Sequence, residues 1–356
     1  MLFVFAGGGT GGHVLPSLAV ASELRRRGHE ALFIGTERGM EAKLAPRAGF
    51  PIEWIEIGGL QGVGLRRALR TVAQLPRSVL RSRAILRGRG AAAVFSMGGY
   101  VAAPVMVAAA LRGTPMVIME PNAIPGLVAR RMSRFVRRAL VAFEETRRYF
   151  PEGRSEVCGL PVRREFFEVG ERDRDAVFTV LLTGGSQGSR ALNRVARECW
   201  PSLKRTLPGF RWIHQSGPAE LEAMRQAFAE SGLDGYVTPF IEDMAGAYAG
   251  ADLIVSRSGA GAIAEIAAAG RPAVLVPFPF AADDHQRHNA EALERAGAAI
   301  VLTEDRLTAE QFYDAVGTLA KDPERRERMG RCARSMARAG AAERAADVLE
   351  EVATAR

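Results

Sequence analysis

Cysteine is scarce in this chain of 356 residues: there are three, Cys158, Cys199 and Cys332, odd in number and far apart. Such a set builds neither a disulfide framework nor a zinc site, and a reducing cytoplasm suits it best. Aspartate does not occur before Asp173, and aromatic residues make up only 7% of the chain. No aromatic residue interrupts the arginine-rich stretch 65–89 and no nucleic-acid reader motif is present, so no nucleic-acid partner is expected. Long apolar runs are also few. Leu2–Ala6 is short and lacks a basic flank, which does not suit a signal peptide. Ala91–Leu111 carries no charge and has the length of a bilayer span, but Gly98, Gly99 and Pro104 break it. It reads as strand, glycine turn and buried helix, in a soluble or peripheral protein.

What is present is ordinary for a globular chain: 47% hydrophobic and 25% charged residues. The length suits about two domains at roughly 150 residues each. The net charge of +8 is unevenly divided. Residues 1–160 hold 23 Lys and Arg against 11 Glu, a net +12; the remainder hold 25 against 29, a net −4. A basic first half suggests an anionic partner such as a phosphate-bearing substrate, nucleic acid or an anionic membrane, although an arginine-rich proteome would give the same imbalance.

Two segments open in the same way. Leu2–Ala6 runs into Gly7-Gly8-Gly9-Thr10-Gly11-Gly12-His13, then a helical pattern to Arg25–Gly28, then a strand at Ala31–Gly35. Phe178–Thr183 runs into Gly184-Gly185-Ser186-Gln187-Gly188-Ser189 and a helix from Arg190. Further strands are expected at 92–96, 115–119, 138–142, 211–215, 236–239, 253–256, 273–277 and 299–302. This is the pattern of two doubly wound α/β domains, with charge-rich Glu165–Asp175 as the linker and a helical tail from Glu324.

Glycines at 7, 9 and 12 satisfy G-x-G-x-x-G, a weak signal alone. Such a loop lets backbone approach an anion at a helix N-terminus. His13 adds an imidazole there, as a base or as a donor to an oxyanion. Ser186, Gln187 and Ser189 add hydroxyl and amide donors to the second loop. A third small-residue helix start, Ser256–Ala262, precedes Glu265, whose carboxylate can accept two hydrogen bonds from a ribose diol. The polar loop 278–289 with Gln286 follows a strand, where open α/β sheets bind ligands. Gly98-Gly99-Tyr100, Glu120, Asn122 and Gly126 end two first-half strands, and Arg163 can reach a phosphate or carbonyl. In Leu65–Arg89, eight arginines and no acid accompany Leu65, Leu69, Val72, Leu75, Val79 and Leu80 at helical spacing. That stretch suits either an anionic membrane surface or a helix packed on its sheet with a solvated arginine face. Asp173-Arg174-Asp175 and Asp283-Asp284 are weak metal candidates, and no metal site is expected.

These strings together resemble the MurG family, bacterial transferases that add N-acetylglucosamine to lipid I. They are GGGTGGH at 7–13, SMGGY at 96–100, EPNAIPG at 120–126, LPVR at 160–163, GGSQGS at 184–189, FIEDM at 240–244, SRSGAGAIAEIAAAG at 256–270 and PFPFAADDHQRHNA at 277–290. Their order is the family's and they span nearly the whole chain. The resemblance implies a GT-B glycosyltransferase: two Rossmann-like doubly wound parallel-sheet domains facing across a cleft. Residues 1–163, joined by a last helix at about 341–356, would bind lipid I and the membrane; residues 164–340 would bind UDP-N-acetylglucosamine. In the donor set Ile241 would meet uracil through its backbone and Glu265 would hold the ribose diol. Ser186 and the helix start Gly259, Ala260, Gly261 and Ala262 would face the diphosphate, and Gln286 the sugar hydroxyls. Thr10, Gly11, Gly12, Asn122 and Arg163 would complete it. Gly8, Gly9, Gly98 and Gly99 would cradle the acceptor's diphosphate.

The implied reaction inverts an α-linked donor sugar to a β-1,4 product in peptidoglycan synthesis. It needs a base for the acceptor 4-hydroxyl, with His13 the first candidate and Glu120 the second, and Tyr100 beside the acceptor sugar. Helix N-termini and arginine can stabilise departing UDP, so no cofactor and no metal are expected. The implied location is the cytoplasmic face of the cell membrane, held peripherally through the basic region 65–89, with cell-wall synthesis proteins as further partners. Pro121 replaces a usual Gln and Ala262 a usual hydroxyl residue, whereas His285 is an accepted variant. Other readings are a glycolipid glucosyltransferase or a UDP-N-acetylglucosamine 2-epimerase on the same fold, and an NAD(P)-binding oxidoreductase, which leaves the second loop and Glu265 unexplained.

Overall fold

The structure, a computed structural model, describes residues 1–8, 11–58, 65–173, 176–207 and 209–355, and the backbone alone over 65–70. Gly9, Thr10, Asp175 and the side chains of Arg66, Arg67 and Arg70 therefore lie outside the described residues. The chain divides into two compact units, Met1–Pro161 with Arg338–Arg356, and Val162–Ala337.

The first unit is built on seven strands: β1 (Leu2–Gly7), β2 (Glu30–Gly35), β3 (Ile52–Trp54), β4 (Ala93–Gly98), β5 (Met116–Glu120), β6 (Arg138–Val141) and β7 (Ser155–Val157). Their order is β3-β2-β1-β4-β5-β6-β7 and every pairing is parallel. The connections are α1 (Gly11–Arg26), α2 (Glu41–Arg47), α3 (Leu65–Gly88), α4 (Gly99–Arg112) and α5 (Leu127–Met132). Parallel strands covered on both faces read as unbroken apolar runs, and β1 is such a strand. Phe5 lies in register with Phe33 and Phe95 and stacks on Phe33 at 5.1 Å. On the opposite face Val4, Ala6, Leu32 and Ile34 join Val101, Val105 and Leu86 from α4 and α3. Burying each such aliphatic side chain stabilises the unit by roughly 1.5–3 kcal/mol.

The second unit begins with α6 (Arg164–Phe167) and carries β8 (Thr179–Thr183), β9 (Arg211–Gln215), β10 (Asp234–Thr238), β11 (Leu253–Ser256), β12 (Ala273–Leu275) and β13 (Ala299–Val301). The order β10-β9-β8-β11-β12-β13 repeats the arrangement of the first sheet, again all parallel. Its helices are α7 (Arg190–Thr206), α8 (Leu221–Ser231), α9 (Met244–Ala249), α10 (Ala260–Ala269), α11 (His285–Arg295), α12 (Ala309–Lys321) and α13 (Pro323–Met336). Leu192, Val195, Cys199 and Leu203 repeat at helical spacing along α7 and bury against Val180, Leu182 and Trp212. Trp200 meets Trp212 edge-on at 6.3 Å.

The last helix, α14 (Ala341–Thr354), returns to the first unit and packs on α1 and on β4–β6. Ala345, Val348, Leu349 and Val352 are its buried face. Arg27 bonds Asp347 and Glu350 at 2.6 and 2.9 Å, and Arg344 bonds Glu156 at 2.7 Å.

Three features depart from the sequence reading. β3 and β7 are edge strands of three residues each, too short to show a period. The charge-rich stretch after Arg163 is packed structure of the second unit over its described residues rather than a linker. Phe166 is fully buried edge-on to Tyr248 at 5.2 Å, and buried Arg271 donates to the carbonyl of Gly170. The charges dominate the sequence there while Phe166 and Val169, three apart, carry the packing. Finally, the apolar positions of α3 divide: Val79 packs on the core beside buried Ile85 and Leu86, but others face outward. Thr71, Ser78 and Ser82 are buried, whereas Val72 and Leu80 are 57% and 64% exposed.

Candidate active site

In both sheets the chain reverses direction beside the first strand, β1 or β8, and ligands of open α/β sheets bind at the carboxyl ends of strands at that point. Both glycine loops lie there. In the second unit, β8 ends at Thr183 and the loop turns through Gly185 and Gly188, whose φ values of +84° and +75° favour glycine. Ser189 then caps α7, its side chain accepting from the N–H of Leu192 at 3.4 Å. A methyl group at Gly188 would collide with the carbonyl oxygen of Ser216. Ser186 and Gln187 are exposed at the tip.

Beneath this loop lies a buried polar network. The Nε2 of Gln215 donates to the Gly185 carbonyl at 2.8 Å and to Thr183 Oγ1 at 3.1 Å, while its Oε1 accepts from the Ile241 N–H at 2.8 Å. Asn193 donates to the Ser216 carbonyl and to Glu220, and its Oδ1 lies 2.8 Å from His214 Nε2. Burial pushes His214 down to about 3, so the ring is neutral. Its Nδ1 accepts from Trp212 Nε1, which makes Nε2–H the donor to Asn193.

The third helix start, at α10, is open: nothing lies within 4 Å of a methyl group placed at Gly259 or Gly261. Ala260 and Ala262 are half-buried in its first turn. Ser258 Oγ donates to the Gln286 carbonyl at 2.7 Å, tying this start to α11. Gln286 accepts from the Phe278 N–H through Oε1 at 3.0 Å, which leaves its NH₂ as the group to offer a sugar hydroxyl. Glu265 is half-buried on α10. Burial pushes its pKa up to about 7, opposed by the charge of Arg163. Arg163 itself is exposed and lies over the Phe166 ring at 5.1 Å. Asp283 and Asp284 hold adjacent left-handed backbone conformations, φ +51° and +53°, just before α11.

In the first unit, His13 occupies the first turn of α1. Its Nδ1 lies 3.3 Å from the Gly8 carbonyl, which can only accept, so Nδ1–H is the donor in that contact. The ring rests against Gly99, where an added methyl would come within 3.2 Å of Nδ1. The GGGTGGH and SMGGY turns thus meet at the neighbouring ends of β1 and β4. Gly98 and Gly99 both have positive φ, and Tyr100 packs on the core of the unit.

Glu120, the second candidate base, is the last residue of β5. It is 3% exposed and accepts from the N–H and side-chain NH₂ of Asn122 and from the N–H of Gly126, at 3.0–3.2 Å. Burial pushes it up to about 7. Both oxygens accept within the 120–126 turn, so Glu120 also holds that turn together. Glu41 was not among the sequence candidates. It is fully buried and accepts from Thr36 N–H and Oγ1, and methyl groups at Gly8, Gly35 or Gly39 would all collide with its side chain. Among the described residues, no group of three or more His, Cys, Asp or Glu is arranged to hold a metal ion.

The chain matches the glycosyltransferase family 28 N-terminal domain over residues 3–141 and the glycosyltransferase family 28 C-terminal domain over residues 179–350. The chain belongs to glycosyltransferase family 28. Among the family-28 relatives, a Solibacter usitatus protein is 54% identical over 352 residues, 99% of this chain and 96% of its own. A Halorhodospira halophila protein is 45% identical over 354 residues, 98% of this chain and 97% of its own. Both are named UDP-N-acetylglucosamine–N-acetylmuramyl-(pentapeptide) pyrophosphoryl-undecaprenol N-acetylglucosamine transferase. The crystal structure of Acinetobacter baumannii MurG superposes with a TM-score of 0.84 at 32% identity, covering 98% of this chain and 99% of that one. The family thus accounts for both units and for each of their glycine loops. A UDP-GlcNAc 2-epimerase from Neisseria meningitidis, at 13% identity and a TM-score of 0.67, shares the fold alone.

Proposed function

We propose that this chain transfers N-acetylglucosamine from UDP-N-acetylglucosamine to the 4-hydroxyl of the N-acetylmuramoyl unit of lipid I, giving lipid II for peptidoglycan. The observation that carries this reading is similarity over essentially the full length, at 54% identity, to a relative bearing that activity in its name. The second unit is the donor half: Glu265 accepts from the ribose diol, the start of α10 and Ser186 meet the diphosphate, and the Gln286 amide meets the sugar. Because the Ile241 N–H is already given to Gln215, the Ile241 carbonyl is the backbone group left for uracil. The first unit is the acceptor half. His13 Nε2 takes the proton of the 4-hydroxyl as the O4–C1 bond forms. The C1–O bond to the β-phosphate breaks, and UDP leaves with its electron pair. Helix N-termini and Arg163 stabilise that charge without a metal.

The test is transfer of label from UDP-N-acetylglucosamine to a lipid I analogue in detergent with EDTA present. Labelled lipid product supports donor, acceptor and metal independence together. UDP release or epimer formation without acceptor would move the reading to the epimerase class.

No helix among the described residues is long and apolar enough to cross a membrane. We propose peripheral attachment at the cytoplasmic face through α3. The exposure of Val72 and Leu80, beside exposed Arg77, Arg83 and Arg87, supports it. Changing Arg66, Arg67 and Arg70 to Glu should reduce flotation with anionic liposomes; unaltered flotation would count against this surface.

A further inference from the structure

Donor recognition draws on two stretches distant in sequence, the Gly184–Ser189 loop and the segment around Ile241. One buried side chain touches both. Gln215, the last residue of β9, is 1% exposed and is neither in contact with solvent nor part of any motif above. Its NH₂ holds the Gly185 carbonyl and the Thr183 hydroxyl, and its Oε1 holds the Ile241 N–H. Turning the amide over would set a carbonyl oxygen against a carbonyl oxygen and an NH₂ against an N–H, so the partners fix its orientation. A side-chain amide offers a donor and an acceptor on one rigid plane. The turn that follows braces the same loop, since Gly188 lies against Ser216 and Gly217 against Gln187 with no room for a methyl group at either glycine.

We propose that Gln215 is a positioning residue for the donor nucleotide: it sets the spacing between the diphosphate loop and the uracil segment, so that one UDP engages both. This rests on UDP-N-acetylglucosamine as the donor. Cutting the bridge should cost the protein the ability to add diphosphate recognition to uridine recognition, beyond any loss of stability.

The experiment measures dissociation constants for UDP and for uridine by calorimetric titration of the full chain, with a thermal melt to confirm folding. In Gln215→Met, which removes both ends of the bridge at similar length, the preference for UDP over uridine should fall about ten-fold or more. Gln215→Glu, titrated at a pH where its carboxyl is ionised, still accepts from Ile241 but opposes the Gly185 carbonyl with a lone pair. It should keep its uridine affinity and lose much of the preference for UDP, which keeps the test decisive even if the Met variant does not fold. An unchanged UDP-to-uridine ratio in folded Gln215→Glu would overturn the proposal, as would a lowered melting temperature with parallel weakening of both ligands. Failure of the unmodified chain to bind UDP would be a separate result: it would remove the donor assignment itself.

Discussion

The first glycine loop lies over a buried carboxyl group, the second over a buried amide. Both loops leave the first strand of a parallel sheet of the same order, so the backbone problem is one problem met twice. Glu41 has only acceptors to offer when ionised, and it gathers the N–H and hydroxyl of Thr36 while three glycines make room for it. Gln215 both donates and accepts, and it takes a carbonyl from the loop rather than an N–H. Within that loop the Gly185 N–H is given to Thr183 Oγ1 and the Gly188 N–H to the Gly185 carbonyl. A carboxylate beneath the first loop opposes an anion above it, and the arginine surplus of the first half works in the other direction. The two glycine loops are thus braced by buried side chains of different chemistry, an acid in one unit and an amide in the other.

The sharpest way to break this comparison is Gly188→Ala. The added methyl meets a backbone carbonyl, which cannot swing aside, at a φ of +75°. UDP affinity should fall about 100-fold, and a fall below three-fold by titration would show that the second loop is not held as described. Glu41→Ala should act on the other unit. It leaves the Thr36 N–H without its acceptor and should cost about 1–3 kcal/mol in urea unfolding, while UDP affinity stays unchanged. Loss of UDP binding in that variant would erase the division between the loops.

A smaller effect concerns pH. The Glu265 pKa of about 7 lies above the ordinary value of 4.5. A carboxyl group raised on folding favours the folded state while protonated. Its contribution is present below about pH 4.5 and is lost as pH rises through about 7. Ribose binding asks for the ionised form, so uridine affinity should rise several-fold between about pH 6 and about pH 8. Glu265→Gln should flatten that rise, as calorimetry at several pH values would record. A rise that persists in the variant would remove Glu265 from the ribose.

Much of this organisation is legible in local sequence. The two glycine loops, the α10 start with Glu265 and most strands announce themselves, because buried parallel strands are apolar runs and left-handed turns call for glycine. The residues that escaped are those whose partners come from elsewhere in the fold. Gln215 bonds the ends of two other strands' loops, and the only hint is a polar pair, His214-Gln215, closing a strand that is otherwise apolar after Arg211. Glu41 reads as an ordinary first-turn acid, although glycines at 35 and 39 flank it closely. The charges after Arg163 hid Phe166 and Val169. Glu120 was visible as a candidate, but only its three donors reveal that its carboxyl group holds the turn that bears it.

The central claim is that proton transfer belongs to the first unit and nucleotide binding to the second, and His13→Ala tests it most directly. Single-turnover transfer by that variant, run beside a UDP titration of the same sample, should slow about 10²- to 10⁴-fold with UDP affinity equal to that of the unaltered chain. Equal losses of rate and of UDP affinity would contradict it.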